Sequence, residues 1–437
     1  MSKLDRRRAL QSGAAAAGVL AGGPLLDRAR AWAGAAAFQP EPGARLRVMR
    51  WSPFVAAEDE QFEHNVTAFT AATGVEVQLD SAFIDDVQLK ASVAANVGAG
   101  PDLVWGLDAT PHLFPDQLLD VTEVADYLGG RYGSWYEIAR EYGRHDGRWI
   151  ALPLCVGGNY INYRRSWVEA AGFERFPATT DDFLKLSQEL DKLGHPGGFA
   201  LGHARADANA WVHWLIWAFG GRLVDADNRV AINSPETIAA LEYARELYRT
   251  FVPGTATWTD SDNNKAFLAG EIGYTNDGIA IYAAARREGL SEIAEDMHHA
   301  SYPIGPVGVP TEMHPTYPLF AYRYSAFPSA CKALMAFLME APQYAGWLEQ
   351  SAGYFTQTLH AYDGNPVWQQ DPKRAVFAQA AARARSIAYA GTLGYAAASV
   401  LAEFVLVDMV AQAATGRLTP EEAAAEAERR ANRYYRV

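Results

Sequence analysis

The sequence predicts an α/β fold, on three observations. Apolar residues change their period along the chain, from strand-like alternation to the helical spacing of i, i+4 and i+7. These stretches come in the order strand, helix, strand, helix, strand, which implies a parallel sheet. Helix ends are marked by capping residues. In chain order, a Pro/Gly-containing lead-in at 38–44 precedes a first strand at Leu46–Trp51. In the helix that follows, Phe62, Val66 and Phe69 share one face, and Gly74 stands where a C′ glycine ends a helix. Val75, Val77 and Leu79 then alternate as in a strand. A second helical stretch precedes Gly98-Ala99-Gly100-Pro101, and Leu103-Val104-Trp105 is expected as another short strand.

Further helix starts are well marked. Thr179 with Asp182 makes a capping-box-like pair ahead of Phe183, Leu186, Leu190 and Leu193. Ser234-Pro235 is an N-cap followed by proline at the first helical position, with Leu241, Ala244 and Tyr248 on one face beyond it. Thr419-Pro420-Glu421-Glu422 repeats that signal for the last helix. Residues 302–318 contain five prolines and read as an extended connector.

Residues 1–33 are laid out as a removable export signal. A basic head with Arg6-Arg7-Arg8 leads to a mildly apolar stretch from Gly13 to Leu26 and an Ala31-Trp32-Ala33 exit. The arginine cluster resembles the twin-arginine type. The fourteen residues of the apolar stretch are fewer than the roughly 20 that a membrane span needs. The rest of the chain is therefore expected to work in the periplasm. Formal net charge is −13, and losing residues 1–33, with six Lys/Arg and two Asp, would leave it near −17. That field repels polyanions, so no nucleic-acid partner is expected. The two cysteines, Cys155 and Cys331, lie far from the signal, so the chain is expected to be soluble and not lipid-anchored. Sequence leaves open whether they form a disulfide. Two cysteines cannot make a Cys-only zinc site, and no metal or cofactor is expected.

Most enzyme signatures are missing. There is no Gly-x-Ser-x-Gly elbow, no His-Glu-x-x-His and no phosphate loop ending in Gly-Lys-Ser/Thr. Gly98-Ala99-Gly100-Pro101 is a poor phosphate cradle, because proline removes a backbone donor. Asp85-Asp86 and Asp181-Asp182 are sequence neighbours, whereas a glycosidase needs carboxyls facing each other across a sugar. Asp181-Asp182 fit the first turn of a helix, where the dipole favours acids. His298-His299 lacks the i, i+4 spacing of helical metal ligands and reads as a solvated loop. Trp211, Trp214 and Trp217 recur every three residues, as in core packing. Aromatic faces beside Asp, Asn and Tyr also suit a neutral polyhydroxylated ligand, whose C–H faces stack on rings while its hydroxyls bond to carboxylates and amides.

Several motifs, in order along nearly all of the chain after residue 33, resemble the extracellular solute-binding proteins of ABC importers, in the family 1 cluster of maltose-type and other carbohydrate binders. They are Phe62 to Val77, Gly100-Pro101-Asp102-Leu103-Val104-Trp105, Leu119-Asp120-Val121-Thr122 and Gly147 to Pro153. Tyr163, Ala171-Gly172-Phe173 and Pro177 to Phe183 make the most specific match. Phe267 to Gly273 and Ala414 to Ala423 complete the series. Two places depart from the pattern. Arg164 follows Tyr163 where the family often has asparagine, and Thr392-Leu393-Gly394-Tyr395 lies where many members place an aromatic or proline-containing ligand contact.

The resemblance implies a type II periplasmic binding protein fold, with two α/β lobes and ligand in the cleft between them. The lobes would be 45–155 with about 318–360, and 156–317 with about 361–437. Matching positions place Trp51, Ser52, Phe54, Trp105 and Asp108 on the first lobe and Asn159 at the crossing. Asp207, Asn209, Trp211, Asn276 and Asp277 come from the second lobe, with Tyr395 a further contact. The expected protein is a monomer that does no chemistry. It would capture a sugar, oligosaccharide or polyol by lobe closure and deliver it to membrane permease subunits of an ABC importer. Two other readings stay open: an exported carbohydrate-active hydrolase, and a binder of an amine-type solute held by acids beside aromatic rings.

Overall fold

The computed structural model describes residues 37–52 and 54–435; the expected export signal lies outside the described residues. Strand β1 (Arg45–Trp51) leads into helix α1 (Ala56–Thr73), strand β2 (Glu76–Ala82), helix α2 (Ile84–Val97) and strand β3 (Leu103–Trp105). Phe62, Val66 and Phe69 are buried on α1 as their spacing requires. Gly74 ends that helix in the left-handed region at φ 76°, its N–H donating to Thr70 O.

These strands form the parallel half of a six-stranded sheet. The other half comes from β4 (Leu152–Gly157), β8 (Thr316–Ala321) and β9 (Phe355–Gln357), in the order β9-β4-β8-β3-β1-β2. Since β8 runs antiparallel to both β3 and β4, the sheet is mixed rather than wholly parallel. The expected connector ends sooner than its prolines suggested. Pro318 lies inside β8, opposite Pro153, where the register shifts. Two residues without an N–H meet there, which keeps the missing donors at one irregularity.

A second, three-stranded sheet holds β5 (Tyr160–Arg164) between β6 (Tyr274–Asp277) and β7 (Met297–Ala300). The two sheets, each with its own helices, make two lobes. The chain crosses between them through Gly158-Asn159 and again through 301–315. A Cβ on Gly158 would stand 2.8 Å from the Phe377 ring and 3.0 Å from the Tyr160 ring, so the first crossing needs a residue without a side chain.

Helix α3 (Thr180–Lys192) buries Phe183, Leu186 and Leu190, but Leu193 falls just past its end and is 50% exposed. The Thr179 hydroxyl accepts from Asp182 N–H and donates to its carboxylate, so the pair caps the helix without the reciprocal bond of a full capping box. Thr419 and Glu422 do make both bonds, at 3.2 and 3.0 Å. We predict that Thr419→Ala lowers stability by about 1 kcal/mol, read by urea denaturation; no change would mean that the last helix is held by packing alone.

His298-His299 is not a solvated loop. Both residues lie on β7, and His299 Nδ1 contacts the Lys373 carbonyl at 3.0 Å. Cys155 and Cys331 are buried free thiols. Among the described residues no single helix is long and apolar enough to cross a membrane.

Candidate functional site

In an open α/β sheet ligands bind outside the carboxyl ends of the strands, where connections diverge to either side. Here β1 sits between β2 and β3, so the chain leaves it in one direction and later returns on the other. Ser52 and Phe54 follow β1, Phe83 to Asp85 follow β2, and Asp108 follows β3. Across from them stand Asp207, the first residue of helix α4 (Asp207–Ala218), and Asp277, the last of β6. Two neighbouring cavities, with three lining residues in common, lie between these groups. The outer one, about 190 Å³, is lined by Ser52, Phe54, Phe83, Ile84, Asp85 and Asp260. The inner one, about 20 Å³, shares Phe54, Ile84 and Asp260 and adds Asp207, Asp277 and Tyr354.

A buried polar network shapes the inner wall. Asn159 Nδ2 donates to Asp207 Oδ1 at 2.7 Å, and Asn159 Oδ1 accepts from Asn276 at 3.0 Å and from the Tyr302 hydroxyl at 2.5 Å. Asn263 Nδ2 donates to Asp207 Oδ2 at 2.8 Å. Asp260 accepts from the N–H groups of Ala206 and Asp207 at 2.9–3.1 Å, so its charge faces the positive end of α4. Asp277 Oδ1 accepts from Gly278 N–H at 2.6 Å, while its Oδ2 has no hydrogen-bond partner.

Burial dominates the ionisation of these acids. It lifts Asp260 to about 6 against the lowering effect of its backbone donors. Asp277 is pushed up to about 8, with the Asp260 charge adding to burial and the Asn264 side chain opposing it. Asp207 is driven well above the usual carboxylate range by burial and then by the charges of Asp277 and Asp260. Asp108, at φ 45° and fully enclosed, is raised to about 7 although Thr316 N–H donates to it at 2.9 Å. The nearby cation is Arg205, from the second lobe, which hydrogen-bonds Gln88 of the first lobe and lies with its Cζ 5.1 Å from the Phe404 ring centroid. Its charge acts on Asp108, Asp260 and Asp85.

The structure thus brings Ser52, Phe54, Asp207 and Asp277 onto the cavities, with Asn159 and Asn276 directly behind them. The other expected contacts lie elsewhere. Trp51 and Trp105 are in the first lobe's core, with ring centroids 4.6 Å apart, and Trp105 stacks on Phe62 at 5.1 Å. Trp211 is buried in the second lobe, where its Nε1 donates to Ala200 O at 2.7 Å. Asn209 turns back to the Arg205 carbonyl, just ahead of its own helix. Asp108 bonds to the backbone of β8 and meets the cavities only through its field. Tyr395 is 56% exposed on a separate open groove of about 1450 Å³. That breadth, without a buried polar cluster, does not fit a small solute. Phe83, Asp85, Asp260 and Tyr354 were not among the expected contacts. For Phe83 and Asp85 a signal existed, since they directly follow a strand. Asp260 and Tyr354 stand in irregular segments that carry none.

Two lobes on separate sheets, two or more chain crossings and a cavity at the strand ends define a two-lobed binding-protein class. Residues 65–376 match the model of the bacterial extracellular solute-binding protein family. The chain belongs to that family. A Deinococcus radiodurans protein described as a probable ABC transporter-binding protein is 23% identical over 205 residues, covering 45% of this chain and 49% of that protein. A Brucella abortus binding protein is 24% identical over 172 residues, covering 37% and 40%. The chain therefore spans half or less of the length of these relatives. Among solved structures it is similar to maltose-bound MalE3 of T. maritima, with TM-score 0.76 and 20% identity over 89% of this chain and 99% of that one. It is also similar to a solute-binding protein of Agrobacterium radiobacter K84 in complex with ribitol, with TM-score 0.75 and 17% identity over 90% and 100%. These likenesses extend the two-lobed fold to almost the whole described chain.

Proposed function

We propose that the chain is the periplasmic substrate-binding component of an ABC importer, and that it captures a sugar, oligosaccharide or polyol by lobe closure. The observation that carries this reading is the interlobe cavity at the strand ends, where aromatic rings face buried carboxyls and amides. Rings take the C–H faces of a polyol, and carboxyl and amide groups take its hydroxyls. Solved relatives with bound maltose and ribitol lend support to that ligand class. Ser52, Phe54, Asp207 and Asp277 are the proposed contacts, with Asn159 and Asn276 holding Asp207 in place. Closure would bury the ligand between the lobes, and the closed form would be the one that membrane permease subunits accept.

The hydrolase reading is less well supported. Glycoside hydrolysis uses one carboxyl held as an acid and one ionised. Here Asp207, Asp260 and Asp277 are all pushed the same way, upwards.

A thermal-shift screen of sugars, polyols, amino acids and polyamines tests the reading. A ligand that binds only the folded state, at 100 times its dissociation constant, adds about 2.7 kcal/mol of stability. The expected result is a raised melting point with a hydroxylated solute and no product formed. A response confined to amino acids, or turnover of a glycoside by pure protein, would overturn it.

A further inference from the structure

Arg205 stands just ahead of α4 on the second lobe and is 8% exposed. Among the described residues its guanidinium makes one hydrogen bond, from Nη1 to Gln88 Oε1 on α2 of the first lobe. Gln88 lies one turn on from Asp85, which lines the outer cavity. The bond therefore spans the lobes beside that cavity. Neither Arg205 nor Gln88 lines either cavity, so the bond needs no solute in order to form.

Burying a guanidinium is costly unless opposite charge compensates it. Here the compensation comes from both lobes. Asp85 and Asp108 of the first lobe and Asp260 of the second all act on the Arg205 charge. Without that cation these acids only repel one another, Asp85 acting on Asp260 and Asp260 on Asp108.

The guanidinium is also held in place on its own lobe. Phe404 joins the helices Tyr395–Ala402 and Val405–Ala414, and its ring centroid lies 5.1 Å from Arg205 Cζ and 4.4 Å from the stacked His203 ring. Phe404 has φ 53°, in the left-handed region that bulky residues avoid. Such strain persists where the surroundings over-determine it. They do so here: His203 contacts Asp408 at 2.9 Å, and Arg430 binds Asp408 at 2.7 Å.

Resting on the lobe-closure reading above, we propose that Arg205 is a positioning residue that latches the cleft: it fastens the second lobe to Gln88 and bridges the acids that face each other across the lobes. The latch sets how much of the protein is closed before solute arrives, and so sets affinity without touching the solute.

The interlobe distance of the solute-free chain tests this. Spin labels go on Glu63→Cys, exposed on α1, and on Glu242→Cys, exposed on the second-lobe helix Pro235–Tyr248. The native Cys155 and Cys331 are buried. Pulsed electron resonance at pH 7 should show a closed, short-distance population in the wild type. Arg205→Ala should lower the closed-to-open ratio about tenfold to a hundredfold, the worth of one charge-assisted hydrogen bond. Gln88→Ala, at a half-buried position on the other lobe, should act in the same direction, and Arg205→Lys should restore part of the closed population. A merely structural Arg205 would lower the melting point and leave the distances alone. Unchanged distances in Gln88→Ala and Arg205→Ala would overturn the latch, as would a wild type without a closed population. Either result is separate from the sugar or polyol reading, which stands or falls on the thermal-shift screen.

Discussion

Glu58→Ala is expected to destabilise the protein by about 3–5 kcal/mol, the usual cost of leaving one member of a buried ion pair alone. Arg50 and Glu58 side chains are each 2% exposed, with Arg50 Nη2 donating to the two carboxylate oxygens at 2.8 and 3.1 Å. The guanidinium lies between rings, its Cζ 4.5 Å from the Phe62 centroid and 4.6 Å from that of Trp105. Glu58 also accepts from Trp347 Nε1 at 2.7 Å, tying α1 to a segment 289 residues away. Without Glu58 the guanidinium keeps only the partly exposed Asp59, at 3.3 Å. Replacing both Arg50 and Glu58 by methionine should cost less than Glu58→Ala, because no buried charge is then left unpaired. Urea denaturation of the three proteins decides. A double variant less stable than the single one would mean that the pair holds the first lobe by more than its mutual neutralisation.

Stability of the ligand-free protein should fall with rising pH, gently between about pH 4 and 6 and steeply above 6.5, the alkaline loss tracing to the cleft. An unfolded aspartate ionises near 3.8, but folding holds Asp260 to about 6, Asp108 to about 7 and Asp277 to about 8, and burial raises Asp207 well above the usual range too. The folded state thus binds more protons than the unfolded one between about pH 4 and 8, and stability falls as pH rises through that range. Each such proton is worth about 1.4 kcal/mol per pH unit, so the group loses on the order of 3 kcal/mol per unit above pH 6.5. Buried histidines act in the opposite sense on the acid side. Burial keeps His112 and His213 neutral down to about 4 and His299 down to about 3, against 6.5 when unfolded. Stability from these groups is complete above pH 6.5 and is lost as pH falls below it. Melting curves from pH 5 to pH 8.5 check this. Asp277→Asn should melt higher than the wild type at pH 5 and by a wider margin at pH 8. A wild-type melting point that rises from pH 6.5 to 8 would contradict this assignment.

Local signals carried much of the fold. The period of Phe62, Val66 and Phe69, the glycine at 74 and the caps at Ser234 and Thr419 depend on nearby residues, and each sits as expected. Pairing between distant segments was less legible. The antiparallel half of the first sheet joins residues 152–157 to 316–321 and 355–357, and no local pattern announces that partnership.

The site divides in the same way. Asp207 and Asp277 fall at the start of a helix and the end of a strand, where ligands gather. The tryptophans show the opposite case. Trp51, Trp105 and Trp211 have the composition of pocket walls, but a ring stacked in a core and a ring facing a ligand look alike in sequence. Only tertiary packing separates them.

A crystal structure of the protein with the best solute from the thermal screen tests the placement of the site most directly. The expected result is density between Phe54, Tyr354 and Asp277, reaching toward Ser52, with the lobes closed over it. Density in the open groove beside Tyr395, with the Asp277 cavity empty, would contradict that placement.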